Sequence, residues 1–369
     1  MAELLSVETM LPGYCMTASE TCEALGTLLP AHMAARFARM VETSQNETRY
    51  GVLPFEELTR LDTLETRNAH YAEHAVRLGE AVAREALRSA GLDPGDIDAV
   101  IGVSSTGHLM PTLETHLIDR LRLPVTCRRV PCTQLGCAGG VASLGLATAL
   151  SNADPSSNIL IVSVELPSLS FPTLEPSPAD IVAFTQFGDG AAAAVVGRGR
   201  SRGPTVIASG SALFPGTIHD DGVRSTAAGL RLQRPRRLAD TLRRELGEVV
   251  DRFLARHRLA RQDIGFWVIH PRNPELLEAA ATSLGVADDS LTASYAVWRR
   301  SGNVVSAAVF HVLRELSGST PPHDGALGMM IAYGAGFGCE MVLLRAGGWL
   351  CGRAGAYPAP EEAPDAPRE

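Results

Sequence analysis

The chain has 369 residues, of which 45% are hydrophobic and 20% charged, and its formal net charge is -8 at pH 7. This composition indicates a globular protein long enough for two domains or one large duplicated core. The negative charge argues against nucleic acid as a general partner. No apolar run approaches the roughly 18 residues of a membrane span, and the N-terminus does not resemble a signal peptide. We therefore expect a soluble cytoplasmic protein.

The cysteine and lysine content of the chain limits the kinds of binding site and catalysis that it can support. The seven cysteines include no Cys-x-x-Cys pair, which indicates neither a disulfide framework nor a zinc site. The chain contains no lysine, so all 33 basic residues are arginine. Schiff-base chemistry, pyridoxal-phosphate catalysis and a P-loop lysine are thereby excluded. Any phosphate group would have to be bound by arginine or by backbone amides.

The first 60 residues predict a short apolar strand at Leu4–Val7, a turn at Pro12-Gly13 and a helix from Thr17 to about Met40. Arg36 and Arg39 are three residues apart and share one face of that helix. By itself this pair fits either a solvated helix face or a binding surface.

A second helix is predicted from Asn68 to Ala90 by its amphipathic pattern. Gly91 ends it, and a turn at Asp93-Pro94-Gly95 leads to a buried strand at Ala99–Val103.

Cys137 lies between glycines in the segment 134–140, directly before a predicted helix of small and apolar residues at Val141–Leu150. Small neighbours allow close approach of a substrate to the sulfur. The N-terminus of a helix carries partial positive charge that favours a thiolate, the nucleophilic form of cysteine. A buried cysteine acting as a small hydrophobic residue fits this segment equally well.

The sequence then repeats itself. Leu87, Leu92, Asp96 and the strand ending at Val103 recur 167 positions later as Leu254, Leu259, Asp263 and the strand ending at His270. Gly136-Cys137 recurs 166 positions later as Gly302-Asn303, before a second helix of small residues at Val304–Leu313. A third matching pair consists of a glycine-rich turn followed by an apolar strand. In the first half, Phe187-Gly188-Asp189-Gly190 precedes Ala191–Val196; in the second half, Gly336-Phe337-Gly338 precedes Met341–Leu344. We predict one α/β unit that is duplicated, with halves at 1–200 and 201–346.

The duplication has a chemical consequence. In two units related by a pseudo-two-fold axis, the corresponding helix starts meet near that axis. Cys137 and Asn303 would then face each other, with His270 at the carboxyl end of the neighbouring strand, where open α/β sheets usually bind ligands. This convergence favours a catalytic role for all three residues.

Two other stretches have weaker significance. The residues from Gly188 to Ala193 are similar to a dinucleotide-binding pattern, but they precede a strand instead of opening a helix. The stretch 347–369, rich in proline, alanine and glutamate, predicts a disordered tail.

Several ordered motifs together resemble the type III polyketide synthases, the chalcone-synthase-like family of the thiolase fold. The motifs are Ser104–Pro111, Gln134–Gly140, Phe187–Gly190, Ile269-His270-Pro271 and Ser301-Gly302-Asn303. The likeness extends from about residue 4 to 345 and is greater to bacterial members of the tetrahydroxynaphthalene and alkylresorcinol type. It implies an α/β protein of duplicated αβαβα halves in a layered architecture, which works as a homodimer on coenzyme A thioesters without a metal or redox cofactor.

The resemblance also implies roles for single residues. Cys137 would accept the acyl group, with His270 and Asn303 as its partners, and Phe187 and Leu232 would stand at gatekeeper positions. Met110 matches a residue that crosses the dimer interface towards the partner's cavity. The other cavity-lining positions fall on Ser105, Pro167, Leu169, Ser170, Ala183 and Val305. Arg36 and Arg39 fall at contacts to coenzyme A phosphates, whereas Thr43 replaces a third basic contact found in plant relatives.

The chain departs from the family pattern at two loops. His-Pro-Gly-Gly is here His270-Pro271-Arg272-Asn273, which puts Arg272 and Asn273 at the coenzyme A entrance. Gly-Phe-Gly-Pro-Gly is here Gly336-Phe337-Gly338-Cys339-Glu340, in a loop that supports the cavity.

The expected activity is loading of an acyl-CoA starter on Cys137, extension by decarboxylative Claisen condensation with malonyl-CoA, and cyclisation to a resorcinol, pyrone or related aromatic. A condensing enzyme like ketoacyl-acyl carrier protein synthase III is an alternative, because it shares the Cys-His-Asn set. A non-catalytic partner of an active synthase is a third interpretation.

Overall fold

The computed structural model describes residues 1–170, 176–198, 203–233 and 237–348. The predicted disordered tail lies outside these residues, apart from its first two positions. None of the described helices is both long enough and apolar enough to cross a membrane.

The described residues form thirteen strands and twelve α-helices. The strands are β1 (Ala2–Met10), β2 (Tyr14–Thr17), β3 (Thr48–Gly51), β4 (Ala99–Ser104), β5 (Arg128–Thr133), β6 (Ile159–Glu165), β7 (Gly190–Gly197), β8 (Thr205–Leu213), β9 (Val223–Thr226), β10 (Gly229–Leu232), β11 (Ile264–Ile269), β12 (Leu327–Gly334) and β13 (Gly338–Arg345). The helices are α1 (Ala18–Leu28), α2 (Ala31–Thr43), α3 (Phe55–Leu58), α4 (Leu64–Ala90), α5 (Leu113–Leu121), α6 (Gly139–Ala153), α7 (Pro167–Ser170), α8 (Pro178–Gln186), α9 (Leu238–Arg256), α10 (Pro274–Leu284), α11 (Thr292–Ser301) and α12 (Ala308–Ser319).

Nine strands form one mixed sheet in the order β11-β12-β13-β8-β1-β7-β6-β4-β5. β1 and β8 pair antiparallel at its centre, at Ala2–Val206 and Glu3–Thr205. On one side of this pair, β1–β7 and β7–β6 are antiparallel and β6–β4 is parallel. On the other side, β8–β13 and β13–β12 are antiparallel and β12–β11 is parallel, which is the same order. The duplication predicted from the repeated residues is therefore present in the strand order.

The helices complete a layered architecture. α6 packs against β4 and β6 of the first half and against β12 and β13 of the second, and α12 likewise contacts strands of both halves. These two helices share one apolar core that lies between the halves. α4 and α5 cover the outer face of the first half, while α9 and α10 cover that of the second.

One predicted element is different in the structure. The single helix expected over Thr17–Met40 is two helices, because the chain is extended at Leu29 and Pro30 precedes α2. A residue before proline is disfavoured in the α conformation, which explains the break. Gly91 does end α4, in the left-handed conformation with φ 65°.

Candidate active site

Cys137 lies in a short 3₁₀ turn, Gly136–Ala138, that runs directly into the buried helix α6. The approach to the turn is tightly bent, since Gln134 and Gly136 both have positive φ, 64° and 57°. The Gly136 amide donates to Ser105 Oγ at 3.0 Å. The cysteine side chain is only 4% exposed. The turn therefore fixes the sulfur inside the protein at the start of a helix.

The starts of α6 and α12 meet, as the repeat predicts. A Cβ atom at Gly140 would lie 2.2 Å from the Ser306 carbonyl oxygen, so only glycine permits this approach. Ser306 also exchanges a hydrogen bond of 2.9 Å with Ser163 of β6. This close packing brings residues 166 positions apart to one place.

Asn303 faces the sulfur from the second helix start. Its amide atoms Nδ2 and Oδ1 lie 3.8 and 3.9 Å from Cys137 Sγ. The Val305 amide donates to Oδ1 at 2.9 Å, which orients the side chain so that the NH₂ group remains free to donate elsewhere. Val305 adopts φ 49°, an uncommon conformation for a β-branched residue, within this turn. The backbone of Asn303 also forms a parallel bridge with Phe187.

His270 follows the last residue of β11 and is fully buried. Its amide donates to the Ile331 carbonyl at 2.9 Å, and Tyr333 Oη donates to the His270 carbonyl at 3.3 Å. The rings of His270 and Tyr333 meet edge to face at 5.9 Å. Within the described part of the chain, neither ring nitrogen of His270 has a hydrogen-bond partner. Buried polar atoms are nearly always paired, so these nitrogens are suited to a bound substrate.

Arg272 and Asp221 form a buried ion pair next to this group. Two guanidinium nitrogens donate to the two carboxylate oxygens at 2.6 and 2.7 Å. Burial opposes the charge of Arg272, but Asp221 outweighs it and raises the pKa of the guanidinium. The charge of Arg272 partly offsets the effect of burial on the pKa of Cys137 and adds to the effect of burial on the pKa of His270.

Burial affects the pKa of Cys137 more than any nearby charge does. It raises the pKa of Cys137 to about 12 and, together with the charge of Arg272, lowers the pKa of His270 to about 3. Desolvation therefore opposes the thiolate that the helix start favours.

A second buried carboxylate supports the cysteine turn. Glu165 accepts hydrogen bonds from the Ser105 amide at 3.0 Å and from Thr106 Oγ1 at 2.9 Å, and also from the Ser306 hydroxyl. Burial raises its pKa to about 7, against these hydrogen bonds. It ties the segment before the nucleophile to the start of α12.

A cavity of about 830 Å³ opens beside the gatekeeper position. Its walls include Phe187, Ala183 and Pro167, together with Arg49 and Phe184. Cys137, His270 and Asn303 are not among its lining residues within the described chain. Phe187 thus lines this cavity while its backbone pairs with that of Asn303.

The other predicted cavity residues are distributed around this centre. Leu169, Ser170 and Val305 are buried, and Leu232 is half-buried in β10. Met110 is 96% exposed.

The predicted coenzyme A residues lie in two places. Arg36 and Arg39 are exposed on α2, while Thr43 Oγ1 donates to the Arg39 carbonyl at 2.9 Å. Asn273 caps α10 by accepting from the Leu276 amide at 2.9 Å, and the guanidinium of Arg272 is engaged with Asp221. Contact of Arg272 with coenzyme A would require this ion pair to open.

Sequence reasoning did not identify Asp221, Tyr333 or Glu165. Arg272 carried the only signal for Asp221, since a buried arginine is usually paired with an anion. No group of three or more His, Cys, Asp or Glu residues in the described chain could hold a metal ion.

Known proteins are similar to this chain in both sequence and fold. A family model for the N-terminal domain of chalcone and stilbene synthases matches residues 1–200, and one for their C-terminal domain matches residues 206–347. The chain belongs to the chalcone and stilbene synthase family. It is a type III polyketide synthase with the thiolase-like fold of that family.

Individual relatives agree with this assignment. A 1,3,6,8-tetrahydroxynaphthalene synthase of Streptomyces peucetius is 35% identical over 92% of both chains. A phloroglucinol synthase of Pseudomonas fluorescens is 28% identical over 93% of this chain and 99% of its own. The crystal structure of the Streptomyces coelicolor tetrahydroxynaphthalene synthase, a bacterial type III polyketide synthase, superposes with a TM-score of 0.88 at 31% identity, covering 93% of this chain and 99% of that one.

Proposed function

We propose that this synthase loads an acyl-CoA starter on Cys137 and extends it with malonyl-CoA by decarboxylative Claisen condensation, then cyclises the product to a resorcinol, pyrone or related aromatic. The observation that carries the proposal is the buried contact between Cys137 and Asn303 at two equivalent helix starts, in a chain of the chalcone and stilbene synthase family. Cys137 Sγ lies 3.8 Å from Asn303 Nδ2, and the buried ring nitrogens of His270 have no hydrogen-bond partner in the part of the chain that the structure describes.

Loading is a thioester exchange. The sulfur of Cys137 attacks the acyl carbonyl carbon, and the neutral His270 ring accepts the thiol proton as the new S–C bond forms. The bond to coenzyme A then breaks, and its leaving thiolate takes that proton. Starter and enzyme end as an acyl-cysteine and free coenzyme A, with no change in oxidation state.

Extension needs a carbanion equivalent. When malonyl-CoA loses carbon dioxide, the electrons of the broken C–C bond move onto the thioester oxygen as an enolate. Asn303 donates to that oxygen without titrating, and His270 donates a second hydrogen bond. Donors of this kind contribute roughly 3–4 kcal/mol each to such a step. The enolate carbon attacks the acyl-cysteine carbonyl and releases the sulfur, which leaves the lengthened chain on coenzyme A. Thioester exchange returns this chain to Cys137 and frees that coenzyme A, and repeated rounds give a poly-β-ketone.

The surrounding residues receive roles on the same basis. We assign Ser105, Pro167, Leu169, Ser170, Ala183, Phe187, Leu232 and Val305 to the substrate cavity, and Arg36, Arg39, Arg272 and Asn273 to coenzyme A. A homodimer is supported by β5, an edge strand of the sheet with exposed residues, and by the neighbouring exposed Met110 and Leu135. The cytoplasmic location remains a prediction.

The two alternatives lose support. The family matches cover nearly the whole chain and belong to the chalcone and stilbene synthases, not to ketoacyl-acyl carrier protein synthases. A non-catalytic partner would not need the buried contact between Cys137 and Asn303 or the buried imidazole of His270.

The test is covalent loading. Wild-type protein incubated with an acyl-CoA should gain the mass of one acyl group, located on Cys137 by peptide mass spectrometry, and should form polyketide when malonyl-CoA is added. Cys137→Ala should abolish both, whereas Cys132→Ala, which changes a half-buried cysteine of β5, should retain both. Product formation at the wild-type rate by Cys137→Ala would exclude this thiol as the nucleophile.

A further inference from the structure

A β-hairpin outside the main sheet packs against two helices near the cavity. In the part of the chain that the structure describes, its strands β9 and β10 pair only with each other, from Gly229–Thr226 to Leu232–Val223. β9 is largely exposed, whereas β10 packs against α7 and α8. A two-stranded hairpin is at best marginally stable by itself, so contacts with the rest of the protein must set its position.

The tip of the hairpin is held by the start of α4. The Ala227 carbonyl accepts from the Leu64 amide at 2.7 Å, and the Ala228 carbonyl accepts from Arg67 Nε at 3.1 Å. Both donors belong to a long helix that packs on the core of the first half. These bonds fix the turn and leave the opposite end of the hairpin, at Leu232, to other contacts.

The opposite end is held by an ion pair. Arg231, next to Leu232 in β10, donates from a guanidinium nitrogen to Oδ2 of Asp180 in the first turn of α8. The Asp180 side chain is completely buried and that of Arg231 is 25% exposed. Among the described residues, Arg231 is the only cation that forms an ion pair with Asp180. Separating them would leave a buried carboxylate uncompensated, so the pair resists movement of β10 away from α8.

The two helices behind the hairpin form one wall of the cavity of about 830 Å³. The lining residues of this wall are Pro167 and Ser168 of α7, Ala183 and Phe184 of α8, and Phe187 directly after α8. The position of α8 therefore affects the shape of the cavity.

The far end of α8 is bonded to the turn that carries Asn303. The Asn303 amide donates to the Gln186 carbonyl at 2.8 Å, and the Gly188 amide donates to the Asn303 carbonyl at 3.1 Å. α8 is thus paired with Arg231 at its first turn and with the Asn303 turn at its last. A shift of this helix would change both the cavity wall and the position of Asn303.

We propose that Arg231 and Asp180 are positioning residues that hold the β9–β10 hairpin against α8 and thereby limit the size of the acyl group that the cavity accepts. With the pair intact, the hairpin supports the wall from outside and α8 cannot move outward. Without it, the wall can yield to a longer acyl chain. The inference rests on the proposed function, which assigns wall residues Pro167, Ala183 and Phe187 to the substrate.

Two variants remove the ion pair in different ways. Arg231→Met removes the cation and leaves the charge of Asp180 buried and unpaired. The double variant Arg231→Met with Asp180→Asn removes both charges, while the asparagine oxygen can still accept from the Ser177 amide at the start of α8. Arg231→Lys keeps a cation for this one-point contact. The matched control is the double variant Glu8→Gln with Arg314→Met, which removes the buried pair between β1 and α12.

Amide hydrogen exchange followed by mass spectrometry measures whether the pair holds the hairpin. Amides of residues 223–232 should exchange about tenfold faster in Arg231→Met and in its double variant than in the wild type, because local opening becomes easier. Arg231→Lys and the control should exchange these amides at the wild-type rate.

Starter selection is measured as the ratio of kcat/KM for dodecanoyl-CoA to kcat/KM for hexanoyl-CoA, with malonyl-CoA as the extender. This ratio should rise about three- to tenfold in Arg231→Met and in its double variant, since a wall that yields discriminates less against the longer chain. It should stay at the wild-type value in Arg231→Lys and in the control. A purely structural role of the pair would lower both kcat/KM values together and leave the ratio unchanged.

Wild-type exchange of the hairpin amides in both variants, or faster exchange with an unchanged ratio, would overturn the inference. An equal rise of the ratio in the control would also overturn it, because the effect would then follow from any lost buried pair. If Arg231→Met does not fold, the double variant decides, since it contains no unpaired buried charge at this position. If no acyl-CoA acylates the wild type, the proposed function fails, whereas the exchange rates still show whether the pair holds the hairpin.

Discussion

In the proposed mechanism, Asn303 and His270 differ from Cys137 in the atom on which they act. The two donors would bind the oxygen that becomes an enolate, whereas the sulfur would act on the acyl carbon. Asn303→Ala and His270→Ala should each lower malonyl-CoA decarboxylation by about 10²- to 10³-fold, because each removes one donor from the developing charge. Cys137→Ala should abolish acylation and retain more of the decarboxylation.

Release of ¹⁴CO₂ from carboxyl-labelled malonyl-CoA, measured apart from covalent acylation, tests this division. Thr148→Ala in α6 is a suitable control, since the buried Thr148 hydroxyl donates to the backbone carbonyl of Leu144 and the residue has no assigned role in the site. Equal decarboxylation in the wild type and all three site variants would contradict the division of labour.

The sequence reveals the three site residues because each lies at a repeated position. Cys137 and Asn303 occupy equivalent helix starts, and His270 ends the strand equivalent to the one ending at Val103. Asp221 has no equivalent signal. It lies 51 residues from Arg272, in a loop outside the repeated motifs, and only the folded chain brings the two together. The raising of the thiol pKa by burial could not be predicted either, because the depth of the sulfur depends on packing and not on the helix start alone.

At the scale of elements, the contact between the starts of α6 and α12 fixes the geometry of the site. Gly140→Ala would place a Cβ within 2.2 Å of the Ser306 carbonyl oxygen, so the two helices must separate. We expect a loss of about 1–3 kcal/mol in the free energy of unfolding, as for other overpacked core sites. Activity should fall as well, because Cys137 moves away from Asn303.

Gly318→Ala in α12 is the matched control, since nothing lies within 4 Å of its Cβ position. Alanine there should leave activity unchanged and leave stability unchanged or slightly higher. Denaturant unfolding of both variants gives the comparison. Wild-type stability and activity in Gly140→Ala would show that the helix starts are not in close contact.

Elements with strong periodicity were predictable, and those shaped by one residue or by packing were less so. The helix from Asn68 and the strand from Ala99 were predicted with small errors at their ends. The break at Pro30 was missed because the apolar pattern continues across it. The helix predicted from Val304 begins instead with a 3₁₀ turn at Val305–Ala307, which repeats the turn that holds Cys137.

At the scale of the whole molecule, Glu165 joins the two halves. It lies at the end of β6 and bonds Ser306 of the second half, and burial raises its pKa to about 7. The folded protein holds this proton up to about pH 7, while the unfolded chain releases it near the ordinary value of 4.5. Between these values the unfolded state binds fewer protons, so the contribution of Glu165 to stability falls as pH rises.

Glu165→Gln removes this dependence. From pH 5 to pH 8, the stability of the wild type relative to the variant should decrease by about 2–3 kcal/mol, at about 1.4 kcal/mol per pKa unit. Urea unfolding at both pH values measures it. Glu65→Gln, at an exposed carboxyl in the first turn of α4, is the control and should show no such trend. A wild-type-like pH dependence in Glu165→Gln would mean that Glu165 is ionised throughout this range.

Whether the acyl groups arrive on free coenzyme A or on a carrier protein depends on the charge of the protein surface. In a chain with net charge -8, Arg36 and Arg39 give α2 an exposed basic face suited to the phosphates of coenzyme A. We therefore expect turnover with malonyl-CoA and an acyl-CoA starter when no carrier protein is present. Arg36→Ala and Arg39→Ala should each raise the KM for malonyl-CoA about three- to tenfold and leave kcat unchanged, since an exposed charge contact contributes about 1 kcal/mol.

Malonyl-pantetheine, which lacks the adenosine phosphates, separates phosphate binding from other effects of these changes. With this substrate the two variants should behave as the wild type does, because the contact they lose is already absent. Arg256→Ala, at an exposed arginine in the last turn of α9, should change neither the KM for malonyl-CoA nor the KM for malonyl-pantetheine. An acyl carrier protein is acidic and would also fit a basic face. Condensation that occurs only with malonate attached to a carrier protein would therefore favour the carrier-dependent alternative over the use of free coenzyme A.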